Sequence, residues 1–262
     1  MAADGIMSSL AVDGVRIEMI ERGHGRPLLF LHPGIGLSPG APVLDHLAER
    51  ARLIAPIHPG FGRSEQPARF TGIDDLAYFY LDLMDALDLA DATLVGVSLG
   101  GWIAAEIAVK SRERISHLVL ANAVGIKAKD RETREIADIF ALTEEQFNER
   151  AYFDPAAGKR DYAAMPEAQV RIIARNREAT ARYAWSPYMH DPKLRQRLHR
   201  IRVPTLLVWG MADRILSESY GRAYAAAITG ARFEPIARAG HFPHIEAPDE
   251  FARQIFAFAD AA

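Results

Sequence analysis

A serine flanked by glycines is the best candidate for chemistry in this chain. The run Gly96-Val97-Ser98-Leu99-Gly100 follows an apolar, β-branched stretch (92–97) and precedes a helix-favouring one. A strand that turns sharply into a helix needs small residues two positions either side of the turn, because larger side chains would collide with the backbone. The Ser98 hydroxyl would then be exposed beside the N–H groups and positive dipole end of that helix. The pattern therefore predicts a nucleophilic serine, with a helix N-cap as the alternative.

A serine nucleophile needs a base, and the base needs a group that orients it. Among nine histidines, His241 is the best placed, because it lies in a loop between a short strand-like stretch (232–235) and the last predicted helix. Asp213 follows another predicted strand (205–209). We expect both loops to lie at the same end of a parallel sheet as Ser98. The order Ser98, Asp213, His241 also differs from that of the two common protease types.

The elements that must position these residues alternate along the chain. Short, continuously apolar runs, typical of strands buried on both faces, are interspersed with helical patterns. Residues 10–20 alternate in hydrophobicity around Asp13-Gly14, which predicts an antiparallel hairpin. This order favours a mostly parallel α/β sheet covered by helices on both faces. The predicted strands are 28–31, 53–55, 93–97, 118–121 and 205–209, and the predicted helices are 42–50, 73–87, 101–110, 217–228 and 248–258.

The alternation stops between residues 124 and 200, where the sequence is polar, Arg-rich and helix-favouring. We interpret this stretch as a helical lid inserted into one α/β domain, whose two parts are residues 1–123 and 201–262. An insertion after a parallel strand lies at the carboxyl edge of the sheet, where ligands bind. The alternative is a set of surface helices with no role at the site.

Composition excludes several function classes. The 31 basic and 34 acidic residues give a net charge of −3, so neither nucleic acid nor an anionic membrane is expected as a partner. There is no cysteine, which excludes disulfides and thiolate metal sites. The first ten residues do not resemble a secretory signal, and no run reaches the roughly 18 apolar residues of a membrane helix. We expect a cytoplasmic protein with a small-molecule substrate, and the sequence predicts no particular oligomeric state.

No metal or cofactor is expected. His241 and His244 are separated by Pro243 and have no third ligand cluster beside them in the sequence. The glycines of Gly34-Ile35-Gly36 lack the spacing of a dinucleotide-binding loop.

Taken together, these motifs resemble the α/β-hydrolase superfamily, in particular its lid-bearing branch with a serine nucleophile. The matching segments are the turn around Ser98, the acid loop Trp209–Arg214, the histidine loop at Gly240-His241, the turn Pro59–Ser64, and the strand and loop Leu29–Gly34. The last of these departs from the family pattern, because Pro33 replaces the usual glycine.

The resemblance implies an eight-stranded sheet and a catalytic triad of Ser98, Asp213 and His241. His241 would take the proton of Ser98 as the hydroxyl attacks an acyl carbon, and Asp213 would orient the imidazole. The backbone N–H groups of Gly34 and Leu99 would form the oxyanion hole. The family also places the acid after the sixth strand, but this chain has Asn122 there, which favours Asp213.

The resemblance also narrows the activity. Relatives that hydrolyse haloalkanes or epoxides use aspartate in place of Ser98, so hydrolysis of a small carboxylic ester or a lactone is the expected reaction. The alternative is hydrolysis of a carbon–carbon bond in a meta-cleavage type diketone, although such enzymes usually carry asparagine and tryptophan where this chain has Val97 and Phe242. Arg175 or Arg182 would then bind the substrate carboxylate. A third alternative is a ligand receptor with slow turnover.

Three residues are predicted to line the substrate pocket. Ile35 follows Gly34 in the chain, Phe242 follows His241, and Trp185 lies in the predicted lid. The aromatic residues around Trp185 could roof the pocket, or pack the lid on the main domain.

Overall fold

One eight-stranded sheet organises the protein. The computed structural model describes residues 6–130 and 132–261. The strands are β1 Ile6–Val12, β2 Val15–Arg22, β3 Pro27–Leu31, β4 Arg52–Pro56, β5 Ala92–Val97, β6 Ile115–Ala121, β7 Thr205–Gly210 and β8 Arg232–Ile236. They lie in the order β1-β2-β4-β3-β5-β6-β7-β8. The pairs β1–β2 and β2–β4 are antiparallel, and every other pair is parallel.

Alternate side chains of the central strands point to two separate hydrophobic layers. On β3, Leu28 and Phe30 pack in one layer, whereas Leu29 and Leu31 pack in the other. This is the two-residue period of a strand, and burial of both faces explains why the predicted strands are continuously apolar. The first layer contains α1 Pro42–Ala48 and α9 Pro248–Ala259, and the second contains α2 Ile73–Ala86, α3 Leu99–Lys110 and α7 Glu218–Ala226.

The segment between β6 and β7 is helical. It contains α4 Glu144–Ala151, α5 Glu167–Ala184, α6 Leu194–Arg197 and 3₁₀ turns at Pro155–Gly158 and Leu198–Arg200. We call residues 124–200 the insertion, and its described residues form no strand of the sheet. After β8, the short helix α8 Pro243–Glu246 leads into α9. None of the described helices has the length and hydropathy needed to cross a membrane.

The predicted fold class is confirmed, with the hairpin and the parallel strands within a few residues of their predicted positions. The hairpin turns at Asp13 and Gly14, which both have positive φ (46° and 74°). A turn with two positive φ values matches the right-handed twist of the flanking strands. The sheet places the residues that follow β3, β5, β6, β7 and β8 at one edge.

Candidate active site

Ser98 occupies a strained turn between β5 and α3. Its φ of 54° and ψ of −111° lie in a region that few residues other than glycine adopt. A Cβ at Gly96 would overlap the carbonyl oxygen of Gly100, and a Cβ at Gly100 would overlap that of Leu31. The two glycines are therefore required by close backbone packing, as the sequence pattern predicts. Strain of this kind costs about 1–3 kcal/mol and is typical of functional sites.

A continuous hydrogen-bonded chain joins the three predicted catalytic residues. Ser98 Oγ lies 2.8 Å from His241 Nε2, and His241 Nδ1 lies 2.7 Å from Asp213 Oδ2. All three side chains are buried. Because a carboxylate only accepts hydrogen bonds, it holds the proton on Nδ1 and leaves Nε2 as an acceptor for the serine hydroxyl. This arrangement can withdraw the Ser98 proton.

The Asp213 carboxylate is held on both oxygens. Oδ1 accepts hydrogen bonds from the backbone N–H groups of Ile215 (2.7 Å) and Leu216 (3.0 Å). Oδ2, which also receives the histidine, accepts one from Asn122 Nδ2 at 2.8 Å. Four donors are what an ionised carboxylate can accept, so the position of Asp213 is well determined.

The role of Asn122 was not predicted from the sequence beyond its lack of a carboxylate. The side chain is fully buried directly after β6, and its Oδ1 accepts a hydrogen bond from Gly210 N (2.9 Å) while Nδ2 donates to Asp213. Its φ is 42°, a conformation that asparagine tolerates better than most residues. An asparagine at the carboxyl end of a buried strand was the available signal.

The loop that carries His241 is held by groups from α8 and from the insertion. The N–H of His241 donates to the carbonyl of Ala151 at 2.6 Å. Glu246 accepts a hydrogen bond from Gly240 N at 2.7 Å, and its carboxylate also accepts two backbone N–H groups just after α4. A Cβ at Gly240 would overlap the Ala151 carbonyl oxygen, so the insertion packs directly against this loop.

The predicted oxyanion donors lie next to the serine. Leu99 is the first residue of α3, and Gly34 lines the same cavity as Ser98. The carbonyl of Pro33 accepts hydrogen bonds from Gly36 N (2.9 Å) and from His32 Nδ1 (2.8 Å). These bonds orient the Pro33–Gly34 peptide plane, in which the Gly34 N–H points in the direction opposite to the carbonyl. Among the described residues, neither N–H group has a protein acceptor.

A buried histidine pair supports this loop from behind. His58 donates from its backbone N–H to His32 Nε2 (3.0 Å) and from Nε2 to the His32 carbonyl (2.9 Å). The two rings are in contact at an interplanar angle of 31°, with centroids 3.7 Å apart. Tyr80 lies 2.5 Å from His58 Nδ1 and donates its hydroxyl proton. Burial lowers the pKa of His32 to about 4, so this ring is neutral near pH 7 and its Nδ1 carries the proton donated to Pro33.

A cavity of about 180 Å³ opens beside Ser98 and His241. Most of its lining comes from the insertion, and the structure brings the predicted pocket residues Ile35 and Phe242 to it. The placement of Trp185 in this pocket was wrong. This residue follows the last turn of α5, is 56% exposed, and packs edge-on against Phe140 with ring centroids 5.3 Å apart. The carboxyl end of α5 is oriented so that Trp185 lies at a different cleft.

The charged residues that line the cavity are Glu144, Arg160 and Arg177. Within the described part of the chain, neither arginine forms an ion pair with an acidic side chain. The Arg177 guanidinium lies 5.5 Å from the centre of the Phe140 ring, and its Nη2 donates long hydrogen bonds to the carbonyl oxygens of Ile139 (3.4 Å) and Phe140 (3.3 Å) beside the cavity. The suggested carboxylate ligands Arg175 and Arg182 are not among the lining residues, because their guanidinium groups donate to backbone carbonyls of the core.

Over residues 6–130 and 132–261, no group of three or more acidic or histidine side chains is arranged to hold a metal ion. His244 is fully buried, and its ring packs near those of Phe30 and Phe251. Burial lowers its pKa to about 3.

Comparison with known proteins agrees with this architecture. A family model for the alpha/beta hydrolase fold matches residues 27–248. The chain belongs to the α/β-hydrolase family. This match confirms the resemblance inferred from the sequence motifs, and membership of this family supports a hydrolase.

This α/β hydrolase is similar to proteins of more than one named activity. The 2-hydroxymuconate semialdehyde hydrolase of Pseudomonas sp. (strain CF600) is 28% identical, over 95% of this chain and 93% of its own. The enol-lactonase from Burkholderia xenovorans LB400 is 25% identical with a TM-score of 0.77, covering 97% of this chain and 100% of that one. A meta-cleavage product hydrolase from Pseudomonas fluorescens IP01 has a TM-score of 0.78 at 22% identity, with 98% of each chain covered, which shows the shared fold alone.

Proposed function

We propose that this α/β hydrolase is a serine hydrolase that cleaves small carboxylic esters or lactones through an acyl-enzyme. The observation that carries the proposal is the hydrogen-bonded chain from Ser98 through His241 to Asp213, which ends at a cavity. The similarity to an enol-lactonase supports the same substrate class.

The mechanism follows from the donors and acceptors around the serine. His241 Nε2 accepts the proton of Ser98 as Oγ attacks the substrate carbonyl carbon, and Asp213 stabilises the imidazolium that forms. The N–H groups of Gly34 and Leu99 stabilise the oxyanion, and loss of one such donor typically raises the barrier by roughly 3 kcal/mol. The imidazolium then protonates the leaving alkoxide. In the second half of the reaction His241 takes a proton from water as the water attacks the acyl-enzyme. The imidazolium then gives this proton to Ser98 Oγ as the acyl–oxygen bond breaks, which releases the acid and restores the serine hydroxyl.

The size of the cavity supports a small substrate. An apolar cavity of roughly 150 Å³ holds a benzene molecule, so about 180 Å³ accommodates a short acyl group or a small ring. Side chains such as Ile35, Ile139 and Phe242 make much of its lining apolar. Acetyl and butyryl esters are therefore expected to be better substrates than octanoyl esters.

Carbon–carbon bond hydrolysis is the second candidate function. It is favoured by the similarity to the 2-hydroxymuconate semialdehyde hydrolase, and by Arg160 and Arg177, which could bind a substrate carboxylate in the cavity. Val97 and Phe242 depart from the residues usual in such enzymes, which places ester or lactone hydrolysis first.

The test compares wild type and Ser98→Ala on p-nitrophenyl acetate, butyrate and octanoate, on a small lactone, and on 2-hydroxymuconate semialdehyde. The proposal predicts turnover of the short esters or the lactone, with a loss of at least about a thousandfold in the variant. Turnover of the semialdehyde alone, with a KM raised by Arg177→Gln, would support the second candidate instead. If no substrate is turned over, both candidates fail and direct ligand-binding assays become the next step.

A further inference from the structure

Helix α5 is anchored to the core of the protein on the side of the oxyanion loop, which we define as residues 32–36. Arg175 donates to the carbonyl oxygens of Gly60 (3.0 Å) and Ser64 (2.6 Å). About two turns later, Arg182 donates to the carbonyl of Phe70 at 3.0 Å. These charge-assisted bonds hold α5 in a fixed place beside the loop.

Two buried side chains of α5 bind the oxyanion loop directly. The single hydroxyl proton of Thr180 is shared between two acceptors, the carbonyl oxygen of Gly34 at 2.9 Å and that of Asn176, in the same helix, at 2.8 Å. Asn176 Nδ2 donates to the carbonyl of Ile35 at 3.2 Å, while its Oδ1 accepts a hydrogen bond from Gly62 N at 2.9 Å. Both side chains are almost fully buried, so water does not replace these bonds readily.

The same two side chains fill the space on that side of the loop. A Cβ at Gly34 would lie 2.8 Å from Thr180 Oγ1, and a Cβ at Gly36 would overlap Asn176 Nδ2. Gly36 has a φ of 89°, so glycine is required at that position on conformational grounds as well. The loop therefore fits closely against α5.

These contacts matter because the donor belongs to a glycine. Gly34 has wide backbone freedom, so the direction of its N–H depends on how its neighbouring peptide planes are held. The preceding plane is held at the Pro33 carbonyl by His32 and Gly36. The following plane is held at the Gly34 carbonyl by Thr180. An oxyanion donor stabilises the transition state only if it points at the developing charge.

We propose that Thr180 and Asn176 are positioning residues that fix the direction of the Gly34 N–H, so that α5 is a static part of the catalytic apparatus. Their role rests on the proposed serine hydrolase function. Both side chains also line the cavity, so the test uses Thr180→Val, which keeps the shape of that lining. This change should slow bond formation at Ser98 much more than it alters substrate binding.

The experiment compares Thr180→Val, which keeps the shape of the side chain but removes the hydroxyl, with Thr180→Ser, which keeps the hydroxyl. Arg171→Gln, an exposed position on the same helix, is the control. Two rates are measured for each protein. The first is phosphorylation of Ser98 by diisopropyl fluorophosphate with loss of fluoride, followed by mass spectrometry, and the second is hydrolysis of p-nitrophenyl acetate. The first rate depends on an oxyanion hole but not on the natural substrate.

The expected result is that Thr180→Val lowers the phosphorylation rate and kcat together by about 5- to 100-fold, with KM within about twofold of wild type. Thr180→Ser and Arg171→Gln should stay within about threefold of wild type. Asn176→Ala, which removes the bond to the Ile35 carbonyl, should also lower both rates and provides the test if Thr180→Val does not fold.

The proposal for α5 is overturned if Thr180→Val or Asn176→Ala reacts as fast as wild type, or if Thr180→Ser is as slow as Thr180→Val. In both cases wild-type labelling at Ser98 would leave the proposed hydrolase function intact. If wild type is neither labelled nor active on the ester, the proposed function fails and the role of α5 fails with it.

Discussion

Replacing Asp213 with asparagine tests how the triad sets the histidine tautomer. Oδ1 of Asp213 accepts two backbone N–H groups, and Oδ2 faces two further donors, Asn122 Nδ2 and His241 Nδ1. In Asp213→Asn, the amide oxygen is best placed at the Oδ1 position, where it keeps both backbone bonds. The amide nitrogen then donates a hydrogen bond to His241 Nδ1. The imidazole must therefore leave Nδ1 unprotonated and carry its proton on Nε2.

The size of the effect follows from these contacts. If the amide were reversed, its nitrogen would face the two backbone N–H groups of Ile215 and Leu216, whereas in the preferred orientation it faces only the Asn122 donor. The reversed orientation leaves one more buried donor without an acceptor, which costs about 1–3 kcal/mol. The unproductive orientation is therefore preferred by a factor of about 5 or more. With its proton on Nε2, His241 cannot accept the proton of Ser98, and the comparable change in a Ser-His-Asp protease lowers kcat by about 10⁴. That loss corresponds to about 5 kcal/mol of barrier.

The assay is hydrolysis of p-nitrophenyl acetate by wild type, Asp213→Asn and Ser98→Ala, with folding checked by circular dichroism. The two side chains at position 213 have the same shape, so the variant should keep the wild-type spectrum. A loss in kcat of about 10⁴, close to the Ser98→Ala background, is expected. A loss smaller than about 100-fold would refute the assigned role of Asp213 and its effect on the tautomer.

Three further outcomes are expected. Gly100→Ala should destabilise the fold by about 3 kcal/mol, because the new Cβ overlaps the Leu31 carbonyl. Gly40→Ala, whose new Cβ meets only Ser38 Oγ at 4.0 Å, should stay within about 0.5 kcal/mol in urea unfolding. Because burial lowers the pKa of His32 from 6.5 to about 4, the unfolded chain binds a proton that the folded chain excludes between these values. His32 alone should therefore lower stability by up to about 3 kcal/mol as the pH drops through that range, and the buried His58 and His244, whose pKa values are also lowered, should add to the fall. A flat profile of unfolding free energy between about pH 7 and pH 4 would contradict this. Glu246→Ala should lower kcat about tenfold and reduce stability by about 2 kcal/mol, since it leaves three backbone N–H groups without their acceptor, and equal kcat values would show that these bonds do not hold the histidine loop.

The parallel core was predictable because its strands are buried on both faces. Continuous apolar runs such as residues 93–97 have few alternatives in a chain that alternates them with helical patterns, and the strand found there is Ala92–Val97. The strained turn at Ser98 was predictable for a similar reason. The flanking glycines are required by backbone contacts, so the local sequence itself carries the signal for the turn.

Contacts between residues distant in the sequence could not be predicted in this way. Asn122 and Asp213 are 91 residues apart, and nothing in the sequence around Asn122 indicates that its amide reaches the carboxylate. The orientation of α5 about its own axis could not be predicted either. In this orientation Trp185 lies at an outer cleft, and Arg175 and Arg182 donate to core carbonyls. Periodicity alone would allow each of these residues to face the cavity.

The insertion contacts the site at two opposite points, and this bears on what it can do. On one side, the Ala151 carbonyl accepts the N–H of His241. On the other side, Thr180 and Asn176 hold the loop that carries the Gly34 N–H. If the insertion moved as one rigid body, it would displace both loops, and the positions of His241 and of the Gly34 N–H would change together. Any opening that leaves the catalytic geometry intact must therefore take place between these two attachments, in the parts of the insertion that line the cavity without binding either loop.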